Sequence, residues 1–130
     1  MTVEIPASYH DLFENPLVAT LVTLMPDGTP QATVVWCRLH DGHIQIAILK
    51  DTQKYTNLLA NPQVTVLVVD TNAPFRYIEV RGVAKLSEEN ATAIITDIAT
   101  KYGRPNFDVA TNAHQRVILT ITATTVNPHG

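Results

Sequence analysis

The segment Lys50-Asp51-Thr52-Gln53-Lys54 contains the residue types that could bind an anion. The pattern before it predicts a strand that ends at Leu49, and the pattern after it predicts a short helix over residues 52–60. A helix start offers unpaired backbone N–H groups and a positive dipole end, where a Thr hydroxyl and one or two Lys ammonium groups could converge on a phosphate. Taken alone, the pattern favours a simpler interpretation, two solvated lysines beside an ordinary helix start with Asp51 as its cap.

Other reactive side chains form no catalytic or metal-binding pattern. The five histidines lack the spacing of a metal site, so no metal is expected. Cys37 is predicted to be a small buried hydrophobe, and Trp36 could stack on a ligand or fill a core or an interface. Arg76 or Arg104 could reach an anionic substrate, although salt bridges are the simpler role. The sequence nominates no catalytic side chain.

The elements that must position these residues are mainly strands. Val, Ile and Thr make up 41 of the 130 residues, an excess of β-branched side chains that is typical of a sheet. Alternation and turn residues predict six strands, at 17–24, 31–39, 43–49, 64–69, 77–86 and 116–126, and short helices at 6–15, at 52–60 and between Ser87 and Gly103. We therefore predict one mainly β domain over residues 1–130, a six-stranded small barrel with short flanking helices.

Composition excludes several classes of protein. A net charge of −3 and scattered arginines argue against a nucleic-acid binder. No apolar run approaches the roughly 20 residues needed to span a bilayer, and the N-terminus lacks the pattern of a signal peptide, so we expect a cytoplasmic protein. Charged residues are only 16% of the chain, which suggests that part of its surface is buried against a partner subunit.

The order and spacing of five segments resemble the pyridoxamine 5′-phosphate oxidase-like split β-barrel flavoproteins, particularly their small flavin- or deazaflavin-dependent oxidoreductases. The similarity covers nearly the whole chain. The segments are Val18-Ala19-Thr20-Leu21 with Pro26-Asp27-Gly28-Thr29-Pro30, Val34-Val35-Trp36, Gln53-Lys54-x-x-Asn57-Leu58-x-x-Asn61-Pro62, Arg76-Tyr77-Ile78-Glu79-Val80-Arg81-Gly82, and Arg116-Val117-Ile118-Leu119.

The resemblance implies a cofactor phosphate at the start of the helix after the third strand. The matching positions here are Gln53 and Lys54, with Thr52 as the hydroxyl residue. Gln53 stands where the family has its first basic residue, and we hypothesise that Lys50 compensates. The strand that runs along the cofactor ring in the family corresponds here to Ala32, Thr33, Val34 and Val35. The positions that flank the ring and the phosphate arm correspond to Ala47 and Ile48, and the position that contacts the ring from the partner subunit corresponds to Tyr77.

The implied function is oxidoreductase activity in a homodimer with cofactor sites at the interface. FMN is the first choice of cofactor and the deazaflavin F420 the second, with hydride transfer to or from a small organic substrate. The alternative is a protein of the same fold that binds a flavin or haem-like ligand without catalysis, which the departure at Gln53 supports.

Overall fold

One antiparallel sheet dominates the computed structural model, which describes residues 3–130. Its strands are β1 (Ala19–Leu24), β2 (Pro30–Val35), β3 (Arg38–His40), β4 (His43–Leu49), β5 (Gln63–Val69), β6 (Tyr77–Ser87) and β7 (Arg116–His129). The α-helices are α1 (Asp11–Glu14), α2 (Gln53–Ala60) and α3 (Ala91–Lys101), with 3₁₀ turns at Ala7–Tyr9 and Ala113–Gln115. Within residues 3–130, no helix is both long and apolar enough to cross a membrane.

The order of the strands requires the sheet to curl. It runs β2-β1-β5-β6-β7-β4-β3, so β2 and β3 lie at opposite ends. Only Trp36 and Cys37 separate these two strands in the chain, and so short a connection spans at most about 10 Å. The two ends of the sheet must therefore approach each other, which confirms the predicted mainly β split barrel with short flanking helices.

The predicted strand 31–39 is two strands, so the part of the chain that the structure describes, residues 3–130, forms a sheet of seven strands where the sequence predicted six. The strand is interrupted at Trp36 and Cys37 because of contacts with residues that are distant in the chain. The backbone N–H of Cys37 donates to the Tyr102 hydroxyl at 3.1 Å, and its carbonyl accepts from the Lys101 ammonium. The Tyr102 hydroxyl in turn donates to the Leu17 carbonyl at 2.6 Å. Backbone groups at the break thus bond to the end of α3 instead of a neighbouring strand.

The barrel interior is filled by the inward-facing side chains of the strands. Cys37 belongs to this core, and burial raises the pKa of its thiol. Helix α1 contributes Leu12 and Phe13, each only 1% exposed. The strand residues in the core include Leu21, Ile44, Ile46, Val66, Val68, Ile78, Val80, Leu119 and Ile121. This alternation of buried and exposed positions is the one expected for a sheet with a single buried face.

Helix α3 begins later than the sequence predicted. Ser87 was expected to cap it, but its hydroxyl accepts a bond from the Glu89 N–H at 3.1 Å in the preceding turn. The N-cap is Asn90, in the left-handed region with φ +57°. The predicted stop at Gly103 is confirmed, since this residue has φ +77° and directly follows the helix end.

Candidate functional site

A cavity of about 240 Å³ lies between β2, at one end of the sheet, and β4, the strand next to the other end. Strands β2 and β4 supply most of its apolar wall, α3 adds two isoleucines, and its polar groups come from the start of α2 and the start of β7. We call it the β2–β4 cavity. Its lining residues are Val34, Val35, Trp36, Ala47, Ile48, Leu49, Thr52, Lys54, Ile95, Ile98, Phe107 and Arg116.

The structure brings part of the predicted site together in this cavity. The nominated residues that line it are Val34, Val35, Ala47, Ile48, Thr52 and Lys54. Thr33 is adjacent, because its hydroxyl lies 3.4 Å from the Lys54 ammonium. Ala32 is an exposed residue of β2, while Lys50, Gln53 and Tyr77 make their contacts elsewhere.

The start of α2 is open to an anion. Its N-cap is Thr52, not Asp51, and the Thr52 side chain makes no capping bond. The Thr52 hydroxyl instead donates to the Leu49 carbonyl at 2.7 Å, which fixes the turn between β4 and the helix. An uncapped helix start exposes backbone N–H donors and the positive end of the dipole.

The two lysines of this segment differ in their surroundings. The Lys50 ammonium forms an ion pair with Glu88 at 3.0 Å and does not line the cavity. Lys54 lines it, and among residues 3–130 its ammonium has no carboxylate within ion-pair distance. Lys54 is therefore the lysine whose charge is available to a bound anion.

Gln53 supports the helix instead of facing the cavity. Its amide donates to the Asn57 side chain at 2.9 Å, one helical turn along α2. Asn57 is buried and donates to the Thr23 hydroxyl of β1 at 3.1 Å, with Gln31 of β2 also in reach at 3.4 Å. This polar network fixes α2, and with it Lys54, against the first hairpin.

Replacing Asn57 with alanine should therefore destabilise the protein by about 2 kcal/mol, because buried polar partners lose their bonds. The measurement is urea denaturation at a fixed protein concentration. Thr56→Ala is the control, since Thr56 is exposed on the same helix and surface substitutions usually change stability by less than about 0.5 kcal/mol. An Asn57→Ala variant no less stable than Thr56→Ala would show that the network does not hold the helix.

Phe107 and Arg116 line the cavity but were not nominated from the sequence, whereas Trp36 was considered as a residue that could stack on a ligand. The Trp36 ring stacks on Tyr102 with centroids 5.0 Å apart, and the Phe107 ring meets Trp36 edge-on at 5.8 Å. The Arg116 guanidinium lies 5.2 Å from the centre of the Phe107 ring. The length of the loop between Gly103 and Arg116 was the available signal, since long connections often cover sites.

Tyr77 and Arg76 lie outside the β2–β4 cavity. Tyr77 stacks on His129 with ring centroids 4.9 Å apart, in a groove of about 520 Å³ on the outer face of the sheet. This outer groove is lined by residues of β1, β5, β6 and β7. Arg76 forms ion pairs with Asp11 at 2.8 Å and Asp70 at 3.1 Å. The salt-bridge role predicted for Arg76 is thus observed, but its partners are Asp11 and Asp70, whereas the sequence suggested Glu79, Glu88 or a partner subunit.

A family model described as Pyridoxamine 5′-phosphate oxidase matches residues 5–130. A solved structure named F420 Reductase is 31% identical over 95% of this chain and 98% of its own, with a TM-score of 0.86. No curated protein sequence matches the chain significantly.

Two further structures share the fold. A conserved hypothetical protein of Mycobacterium tuberculosis is 27% identical, with a TM-score of 0.83, over 98% of this chain and 86% of that one. A candidate pyridoxamine 5′-phosphate oxidase from Listeria innocua is 22% identical, with a TM-score of 0.70, over 91% of this chain and 92% of that one. At 22% identity the second likeness concerns the fold alone.

Proposed function

Because the chain belongs to the pyridoxamine 5′-phosphate oxidase family, we propose that it is an oxidoreductase that binds a phosphate-bearing flavin or deazaflavin cofactor in the β2–β4 cavity. One observation carries the proposal: an apolar strand wall and an uncapped helix start with a lysine meet in the same cavity. A planar ring with a phosphate arm needs these two surfaces side by side.

The wall fits a ring because β2 is an edge strand. It pairs with β1 on one side only, so backbone groups along its other edge are free of sheet partners. Such groups can bond to ring heteroatoms, while Val34 and Ile48 offer apolar surface. The bound cofactor would supply the hydride chemistry, and the chain would orient the ring and exclude water from it.

The phosphate would lie at the start of α2. Thr52 and Lys54 line the cavity there, and the N–H groups of the first helical turn add the dipole. Lys50, which the sequence suggested as a compensating cation, is already paired with Glu88. Lys54 is therefore the principal cation of the proposed phosphate site.

For the cofactor we now prefer F420 to FMN. The structure named F420 Reductase shares 31% identity with this chain over nearly its whole length. F420 carries a longer acidic tail than FMN, and this tail calls for cations beyond those that bind the phosphate, which is the argument for FMN. FMN remains the alternative, with a small organic molecule as substrate in both cases.

We also propose that two copies of the chain form the complete site. A cavity of about 240 Å³ is smaller than the roughly 300–1,000 Å³ of small-molecule sites, so a further surface must help to enclose the cofactor. The outer groove with Tyr77, and Val83 at 44% exposure on the outer side of β6, offer apolar surface for a second copy. Tyr77 would then contact the partner's cofactor.

Light scattering at micromolar concentration should accordingly give the mass of a dimer. The physical reason is the exposed apolar sheet face, which association would remove from water. Tyr77→Asp would place a charge in the proposed interface and should shift the mass toward that of a monomer. A monomeric wild-type protein at that concentration would contradict the dimer.

The function is tested by titrating the purified protein with F420 and with FMN while following cofactor fluorescence. We expect saturable binding near one cofactor per chain, with F420 the tighter. A protein that binds neither would contradict the proposal. Binding without oxidation of the reduced cofactor by any of a panel of small organic acceptors would favour the non-catalytic alternative.

A further inference from the structure

Arg116 brings a second cation to the β2–β4 cavity from a distant part of the sequence. It is the first residue of β7 and is paired in register with Leu49, the last residue of β4. Lys50 continues this ladder, since its N–H donates to the Gln115 carbonyl at 2.7 Å. The register therefore places Arg116 beside the turn that leads into α2, next to the proposed phosphate site.

The guanidinium of Arg116 is held in place but not fully bonded. Its Nη2 group donates to the carbonyls of Asp108 at 3.2 Å and Thr111 at 3.1 Å, and the group lies over the Phe107 ring. Its Nε–H is buried and has no acceptor among residues 3–130. Buried donors in folded proteins are nearly always satisfied, so this one is expected to bond to an acceptor from outside the chain, either a water molecule or a ligand atom.

The charge of Arg116 is not taken up by a direct ion pair. Among residues 3–130 it forms none within 4 Å. The pKa of the nearby Asp108 carboxyl is lowered mainly by hydrogen bonds from Thr111, and the charge of Arg116 adds only a minor part. Lys50 is bound to Glu88, and the Gln53 amide is bound to Asn57. Of the cationic side chains near the start of α2, only Lys54 and Arg116 line the cavity.

We infer that Arg116 is the second cation of the anion site, receiving the cofactor phosphate together with Lys54 in the role that Gln53 cannot fill. The inference rests on the proposed function and deepens it. The Nε–H donor and the positive charge suit a phosphate oxygen, because charge-assisted bonds from a guanidinium are among the strongest that a protein side chain makes. Loop 103–115 holds the group by main-chain carbonyls, so its placement depends on the loop's conformation and not on a carboxylate partner.

The test compares cofactors with and without phosphate on Arg116→Gln. The pairs are FMN with riboflavin, and F420 with its phosphate-free deazaflavin riboside. We expect the substitution to weaken binding of the phosphate-bearing member by about 10- to 100-fold and to leave binding of the phosphate-free member nearly unchanged. Arg104→Gln removes the same charge from an exposed position of the same loop and should change neither affinity.

Each other outcome overturns a defined claim. If Arg116→Gln weakened binding of the phosphate-bearing and the phosphate-free cofactor equally, Arg116 would only hold the loop or contact another part of the cofactor. If it weakened neither, Arg116 would not belong to the cofactor site. A wild-type protein that binds none of the four compounds would instead contradict the proposed function itself. If circular dichroism shows that Arg116→Gln does not fold, Arg116→Lys is measured in its place. We then expect a smaller loss of affinity, again only for the phosphate-bearing cofactor, because the charge remains but the Nε–H donor is lost.

Discussion

Replacing Lys54 with alanine should weaken the binding of F420 or FMN by about 10- to 100-fold, the loss expected for a hydrogen bond to a charged group. Lys54 lines the cavity in the first turn of α2, where its charge adds to the helix dipole. Within the described residues 3–130, its ammonium has one weak hydrogen bond, to the Thr33 hydroxyl at 3.4 Å, so little is lost when it turns to a phosphate. Cofactor fluorescence titration measures the effect.

Two comparisons isolate the role of this lysine. Lys50→Ala removes the same charge four residues earlier, but because Lys50 is paired with Glu88 outside the cavity we expect a loss of less than about threefold. Riboflavin, which lacks the phosphate, should bind the Lys54→Ala variant as well as it binds the wild type. If Lys50→Ala had the larger effect on FMN or F420, the phosphate site would be misplaced.

Replacing Gly82 with alanine should destabilise the fold by about 3 kcal/mol, at the upper end for overpacking. A Cβ added at Gly82 would lie 2.2 Å from the Thr122 carbonyl oxygen on the neighbouring strand β7. That oxygen is a backbone atom of the paired strands β6 and β7, whose register shifts between Arg81 and Gly82. The oxygen therefore cannot move away unless the pairing of the two strands is broken. Glycine is required here by a close approach and not by its backbone angles.

Gly28→Ala is the matched control for the stability measurement. A Cβ added at Gly28 would meet no atom within 4 Å among residues 3–130, but Gly28 has a φ of +88°, so the expected cost is about 1 kcal/mol from the backbone conformation alone. Urea denaturation at one fixed protein concentration compares the two variants, because dimer formation would couple stability to concentration. A Gly82→Ala variant no less stable than Gly28→Ala would mean that β6 and β7 can separate locally at little cost.

Local patterns predicted most of the fold. Alternating isoleucines placed β4 at His43–Leu49, and the change to helical spacing placed α2 within one residue of its observed start at Gln53. The break at Trp36 and Cys37 was not predictable in this way. It depends on bonds to Tyr102 and Lys101, which are more than sixty residues away in the chain.

The candidate site was likewise predictable only where its residues are close together in the sequence. The strand wall and the helix start lie close together in the sequence, and the nominated residues Val34, Ile48, Thr52 and Lys54 all line the cavity. Phe107 and Arg116 come from a distant loop and strand that only the folded barrel brings to the same place. Gln53 had the right position along α2, but its bond to Asn57 directs its amide away from the cavity.

A crystal structure of the protein bound to whichever of F420 and FMN it takes up would test the proposed cofactor position directly. We expect the ring against β2 and the phosphorus atom at the start of α2, with its oxygens within hydrogen-bond distance of Lys54. A cofactor bound only in the outer groove, or a phosphate without contact to the first turn of α2, would contradict the proposed position.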